Sequence, residues 1–275
     1  MLVAAGIVAA VTPDDSSLTK PYAYVSAALG GAYFVAWSAS FWPQVLLNRQ
    51  RKTTSGLSPD FAVLNMFAFA AYTTYTLSLY ASPRIRHEYE RKHDHAPEVR
   101  FADTFFCVHA LLLSTVTVGQ IYYYDGFAKQ KPSRPARYGL AALTLYVAGT
   151  AILSSEALQV LFALSYCKMA VTLCKYIPQL LLNYRRRSTV GWPIDNILLD
   201  FTGGALSTLQ LILDSENQHD WAGISGDLVK FGLGVTSMVF DVLFLVQHYV
   251  LYRPFALQEA LLDGAREDRG EDIVV

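Results

Sequence analysis

The chain has 275 residues, 53% of them hydrophobic and 16% charged, with 22 Lys and Arg against 23 Asp and Glu. A soluble globular chain is about a quarter charged, and a charge balance near zero excludes a nucleic-acid binder that works by bulk basicity. Cys107, Cys167 and Cys174 all lie in apolar runs without metal-ligand spacing, which argues against a disulfide framework and for small hydrophobic packing.

The chain opens on "LVAAGIVAAV", which has no basic n-region and so makes a poor signal peptide. It reads as a short lumenal segment or the remnant of a leader, with 1–21 as the whole N-terminal portion. Seven apolar stretches follow, each near the roughly 20 residues a helix needs to cross a bilayer. They cover 22–47, 60–82, 101–124, 137–155, 157–183, 196–214 and 227–252. Loop one (48–59) carries Arg49, Arg51 and Lys52 without an acid. Loop two (83–100) mixes both signs and includes His87, His93 and His95, which read as solvated. Loop three (125–136) has Lys129, Lys131 and Arg134 against Asp125, and loop five (184–195) has Arg185, Arg186 and Arg187. Loop six (215–226) has Glu216 and Asp220 and no Lys or Arg. Positive charge marks the cytosolic side, so loops one, three and five and the C-terminus are expected there, and the N-terminus in a lumen. The charged tail 253–275 is expected to be disordered.

Two apolar stretches contain a proline. "FWPQVLLNRQRKTTSGLSPDFAVLN" (41–65) aligns without a gap on "YIPQLLLNYRRRSTVGWPIDNILLD" (176–200), at an offset of 135. Pro43 meets Pro178, Gln44 meets Gln179, Asn48 meets Asn183, Gly56 meets Gly191, and Asn65 meets Asp200. A proline in a helix removes a donor and crowds the preceding turn. The two Pro-Gln pairs (Pro43, Gln44 and Pro178, Gln179) are therefore expected to be hinges, with Gln179 satisfying backbone that Pro178 frees. The offset spans four crossings, so the copies run in the same direction. Repeats related by an axis along the membrane normal are a transporter plan with the substrate site near midplane. This predicts an all-α membrane protein of seven transmembrane helices. Two parallel three-helix bundles (22–124 and 157–252) are joined by a loop and linker helix (125–156).

Paired Pro-Gln motifs at these places resemble the PQ-loop transporters, relatives of the SWEET carriers. Within that group, "YFVAWSASFWPQVLLN" (33–48), "DTFFCVHA" (103–110), "SYCKMAVTLCKYIPQ" (165–179), "LLDFTGG" (198–204) and "KFGLGVTSMVFDVLFLVQHYVLYR" (230–253) are similar to the cystinosin family, whose members export cystine from lysosomes together with protons. The resemblance implies a proton-coupled symporter in a lysosomal or vacuolar membrane. Its partners would be cystine, protons, membrane lipid and trafficking adaptors; it would use no cofactor beyond the proton as co-substrate, and would bind no nucleic acid. The family's tyrosine-based sorting signal has no clear match, since "YRPF" (252–255) abuts the membrane.

Cystine is a double zwitterion, so its site must offer cations to carboxylates and acids or carbonyls to ammonium groups. Lys168 and Lys175 lie seven apart and share a helix face. Lys175, Gln179 and Asn183 continue as a slowly turning stripe. The resemblance places Lys175, Asn183, Asn196 and Asp200 at the substrate. Asn48 and Asn65 are the first-repeat partners, and Trp37 and Phe41, one turn apart, would pack on the disulfide or close a gate. Lys168 is either a cargo ligand or a snorkelling side chain. Gly203 and Gly204 permit a close helix approach. The resemblance also links Asp103, Asp200 and Asp241 to proton coupling; from position alone Asp103 is equally a helix-start residue and Asp241 a member of a buried pair. His109 reads as a structural histidine or a relay, and Asp60 and Asp195 as helix starts. No nucleophile–base pair, metal spacing or nucleotide loop is present, which argues against an enzyme. Two other readings remain at this point: a PQ-loop carrier of another amino acid or small solute, and a non-transporting seven-helix receptor.

Overall fold

The structure, a computed structural model, describes residues 18–97, 99, 101–218 and 228–252, and every regular element among them is helical. The N-terminal run, most of loop six and the tail from 253 onward lie outside the described residues.

The first expected stretch is filled by α1 (Tyr22–Ala39) and α2 (Trp42–Arg51), and the second by α3 (Pro59–Ala81). Loop two contains an unexpected helix, α4 (Pro83–His93). The third stretch is α5 (Phe101–Gln120), which runs on into a π turn at Ile121–Asp125. The linker is α6 (Arg134–Leu153), and the fifth stretch again divides, into α7 (Ala157–Cys174) and α8 (Ile177–Arg186). Then come α9 (Ile194–Gln218) and α10 (Leu228–Val246), which ends in a second π turn at Gln247–Leu251.

Among the described residues, Phe101–Asp125, Arg134–Leu153, Ala157–Arg186 and Ile194–Gln218 are long and apolar enough to cross a membrane. Three of the seven expected spans do not meet that measure. Tyr22, Tyr24, Ser26, Gly30, Gly31, Tyr33 and Ser38 lower the hydropathy of α1. Asn65, Thr73, Thr74, Thr76 and Ser78 lower the hydropathy of α3. Val235–Leu251 is apolar but shorter.

The helix ends follow from local chemistry. Ser58 caps α3 by accepting from Phe61 N, Ser82 caps α4 from Ile85 N, and Ser133 caps α6 from Ala136 N. Each has a proline in the first turn, where the missing donor costs nothing. The breaks after α1 and α7 have the same cause. Pro43 and Pro178 stand in the first turns of α2 and α8 and cannot donate to the helix before them.

α1 packs along α9, α3 on α5 and α7, and α10 on α9, with α6 against α7 and α3. Gly203 allows the first of these contacts, because a Cβ there would stand 2.5 Å from the Trp37 ring. Gly204 faces Met238 on α10. One cluster of the buried apolar core (Leu57, Val63, Ile121, Tyr176, Trp192, Ile197 and Phe244 among it) gathers where α2 and α8 meet the starts of α3 and α9.

The two turns that follow the Pro-Gln helices are near copies. Lys52 and Arg187 end the helices in left-handed conformation, at φ 52° and 53°, and Gly56 and Gly191 follow at φ 103° and 88°. Arg51 Nη1 donates to Ser55 O, and Arg186 Nη1 to Val190 O. The turns press together: a Cβ on Gly56 would lie 2.0 Å from Val190 O, and one on Gly191 2.0 Å from Ser55 O. Backbone sign and close approach both require glycine at these two positions.

Candidate substrate cavity

A cavity of about 400 Å³ lies between the repeats. The first repeat lines it with rings: Trp37, Phe41, Phe69, Tyr72 and Phe106. The second repeat supplies the charge, as Lys168 and Lys175 from α7 and the position after it, and Asp200 from α9. Lys175 is the residue at which α7 ends, and it lines the cavity beside the Pro178 break.

Lys175 Nζ donates to Asn65 Oδ1 at 2.8 Å and stands 4.7 Å from the Tyr176 ring centre. Asn65 Nδ2 donates in turn to Ser114 Oγ at 3.0 Å. Asp200 Oδ2 accepts from Tyr176 Oη at 2.8 Å, and its backbone carbonyl accepts from Trp37 Nε1 at 3.2 Å. Lys175 and Asp200 form no ion pair with each other; each charge is held by a neutral partner, which leaves both able to exchange that partner for an ion. Lys168 Nζ lies 5.1 Å from the Tyr72 ring centre. Lys168 therefore faces the cavity, on the same face as Lys175, as the spacing predicted. Asn196 also lines the wall, and its Oδ1 is buried without a partner.

Asn48 and Asn183 are elsewhere. Gln44 Nε2 donates to Asn48 Oδ1, Asn48 Nδ2 to Gln120 Oε1, and Gln120 Nε2 to Val45 O. The second repeat copies each step: Gln179 to Asn183, Asn183 to Gln247, Gln247 to Leu180 O. Both asparagines are buried in these chains and neither lines the cavity. The expected stripe from Lys175 to Asn183 assumed a continuous helix, and the break at 175–176 turns its lower half away from the cavity. Sequence spacing does not point to Tyr176 or Ser114, nor directly to Gln120 or Gln247. Only a lone glutamine in each apolar stretch pointed to the last two.

The glutamines of the Pro-Gln pairs also differ from expectation. Gln179 Nε2 donates to Gly56 O and its Oε1 accepts from Ser58 N, while Gln44 Nε2 donates to Gly191 O. Each satisfies backbone of the opposite repeat, not of its own helix. The reason is proximity, since the pressed turns bring those groups within reach and no water is needed to pair them.

The remaining acids separate clearly. Asp103 stands in the first turn of α5 and does not line the cavity. Asp241 is 1% exposed on α10, and neither carboxylate oxygen has a hydrogen-bond partner. The buried pair that position alone suggested for it is thus not formed through a hydrogen bond. His109 is packed among Phe41, Trp42 and Phe105, with its Nδ1 buried and unpartnered. Asp60 and Asp195 lie in first turns, as expected, and Asp60 accepts from Ser133 N at 2.6 Å.

A family model described as PQ loop repeat matches residues 25–85 and 160–220, the two copies of the repeat. Cystinosin of Drosophila melanogaster is 44% identical over 235 residues, covering 84% of this chain and 59% of that protein. Cystinosin of Bos taurus is 43% identical over 234 residues, covering 83% of this chain and 64% of its own length. A cystinosin homolog of Dictyostelium discoideum is 38% identical over 236 residues, covering 83% of this chain and 82% of its own. The chain thus spans about three fifths of the first two relatives' length.

Proposed function

This chain belongs to the cystinosin family of PQ-loop proteins, and from that premise we propose that it carries cystine across a membrane together with protons. The observation that carries the proposal is the cavity, where Lys175 and Asp200 stand beside an aromatic wall, each held by a neutral group that a zwitterion can displace. A carboxylate of the cargo takes Lys175 from Asn65, and an ammonium group takes Asp200. The proposal makes it a carrier and not an enzyme.

The architecture that goes with this function is seven crossings in two parallel three-helix bundles, joined by α6. The N-terminus is lumenal, the C-terminus cytosolic, and the membrane lysosomal or vacuolar. The basic loops one, three and five support the orientation. In that frame the pressed turns around Gly56 and Gly191 lie on the cytosolic side, and this conformation is closed there. Transport alternates access: the Pro43–Gln44 and Pro178–Gln179 breaks act as hinges, the turns part, and cargo leaves toward the cytosol. Asp103, Asp200 and Asp241 are the proton-coupling groups in this scheme.

Counterflow of labelled cystine in proteoliposomes, with lysine, glucose and single amino acids as competitors, tests the reading. Cystine alone should compete, and an acidic lumenal side should accelerate flux toward the cytosolic side. Competition by lysine or glucose would move the assignment to another solute, and ligand binding without any flux would move it to a receptor.

A further inference from the structure

Away from the substrate cavity, α4 and the turn before α7 enclose a second hollow of about 280 Å³. It is lined by Arg84, His87, Glu88, Arg91, Ser155 and Glu156. Residues 84, 87, 88 and 91 are spaced i, i+3, i+4, i+7, so α4 carries all four on one face. The two walls are tied to each other. Glu88 Oε1 accepts from Leu158 N at 3.3 Å, Lys92 pairs with Glu156, and Gln159 Nε2 donates to the same Glu156 oxygen at 2.8 Å. Ser154 Oγ accepts from Glu156 N at 3.1 Å and donates to Glu156 O, which sets the turn that carries Ser155.

These ties treat the two signs of charge differently. Each carboxylate spends one oxygen on them, Oε1 of Glu88 and Oε2 of Glu156, and keeps the other. Arg84 and Arg91 spend nothing: among the described residues neither has a hydrogen-bond or ion-pair partner. A guanidinium is a planar fork that grips an oxyanion through two N–H donors, and it stays charged at any ordinary pH. The Ser155 hydroxyl and a ring N–H of His87 add donors to the same hollow.

We propose that this hollow binds a phosphate monoester group. Arg84 and Arg91 grip its charged oxygens, Ser155 and His87 donate to them, and the remaining P–OH donates to the free oxygen of Glu88 or Glu156. The two acids decide the class of ligand. A phosphate monoester has a second pKa of about 6, so in mild acid it keeps one hydroxyl donor that a carboxylate can accept. Sulfate has the same shape and no proton to give, so it meets the acids only as a like charge. A carboxylate ligand has too few oxygens for two forks and a hydroxyl. The group is either inorganic phosphate or the headgroup of a phosphatidate lipid, because Arg84 follows the end of α3 by three residues and so lies at the membrane edge in the architecture proposed above. The site does not depend on which cargo the protein carries.

The test is isothermal titration of the full chain with inorganic phosphate, in phosphatidylcholine nanodiscs at about pH 5.5. The wild type should bind phosphate saturably, and at least about tenfold more tightly than sulfate at equal ionic strength. Arg84→Gln and Arg91→Gln should each weaken phosphate by about fivefold or more. Arg86→Gln, on another face of α4, should leave it within about twofold. Ser155→Glu keeps every cation and adds a carboxylate to the hollow; it should abolish binding, and it decides the matter if an arginine variant fails to fold. Phosphatidate added to the nanodiscs separates the two sources. A phosphate Kd raised by about fivefold or more identifies the lipid headgroup, and an unchanged Kd identifies soluble phosphate. A wild type with no saturable phosphate binding overturns the proposal. So does sulfate that binds as tightly as phosphate, an Arg86→Gln protein that loses as much as the other two arginine variants, or a Ser155→Glu protein that binds as the wild type does.

Discussion

Asp241 carries the largest uncompensated polar demand near the cavity. Both of its oxygens are buried without a donor, and a charge in such a place has nothing to offset its lost hydration. Asp241→Asn keeps the shape and removes the charge. We predict cystine flux that no longer responds to an imposed pH gradient. Unchanged gradient stimulation in that variant would detach Asp241 from proton coupling. The repeat shows a second asymmetry at this scale. Asn65 and Asp200 occupy equivalent positions, as do Phe41 and Tyr176. In the second repeat the hydroxyl of Tyr176 holds a carboxylate; in the first, a phenylalanine and a neutral amide stand in the same places. The scaffold is duplicated and the charge is not, which suits a site that must bind a charged cargo without filling its interior with paired ions.

At the scale of elements, the Pro-Gln motif is a break followed by a clasp. The proline ends one helix and starts the next, and the glutamine reaches across to the other repeat's turn. Gln179→Leu would leave Gly56 O and Ser58 N buried without partners, at a cost of about 1–3 kcal/mol for each group. The expected outcome is a lower Tm, with the turns parted more often, which hydrogen exchange at 54–58 and 189–193 would report as faster. Equal exchange in variant and wild type would mean that glycine packing alone holds the turns. The helix α4 shows another element-level tie. Lys92 pairs with Glu156, ahead of α7, and holds its carboxyl below the usual carboxylate range, with help from Gln159. A depressed carboxylate adds its stability above its unfolded pKa and loses it as pH falls through the folded value. The tie therefore holds at neutral pH and in a mildly acidic compartment and loosens only in stronger acid.

For the whole molecule, the two repeats meet along α1 against α9 and α3 against α7, with the cavity between them and the pressed turns at one end. The orientation in the membrane is testable directly. Single cysteines placed at Lys52 and Arg187 should react with an impermeant thiol reagent only from the cytosolic side, and ones at His87 and Ser155 only from the lumenal side, in a background where Cys107, Cys167 and Cys174 are replaced. Labelling of both sets from one side would overturn seven crossings.

The sequence by itself determined the helical class, the positions of the main apolar stretches, the repeat and the two helix breaks at its Pro-Gln pairs. Periodicity, hydropathy and proline chemistry act within a few residues, so they can be read along the chain. It also named Lys168 and Trp37, because a polar or bulky group in an apolar run stands out wherever the run ends up, while the family resemblance singled out Lys175, Asn196 and Asp200. Only the tertiary structure decided that Asn48 and Asn183 face glutamines, that Gln44 and Gln179 serve the opposite repeat, and that Lys175 rests on Asn65 while Asp200 rests on Tyr176. Those outcomes depend on which residues meet across more than a hundred positions of chain. Spacing along one helix does not encode such meetings: a break of two residues at Pro178 is enough to turn one face of a helix from the cavity to the core.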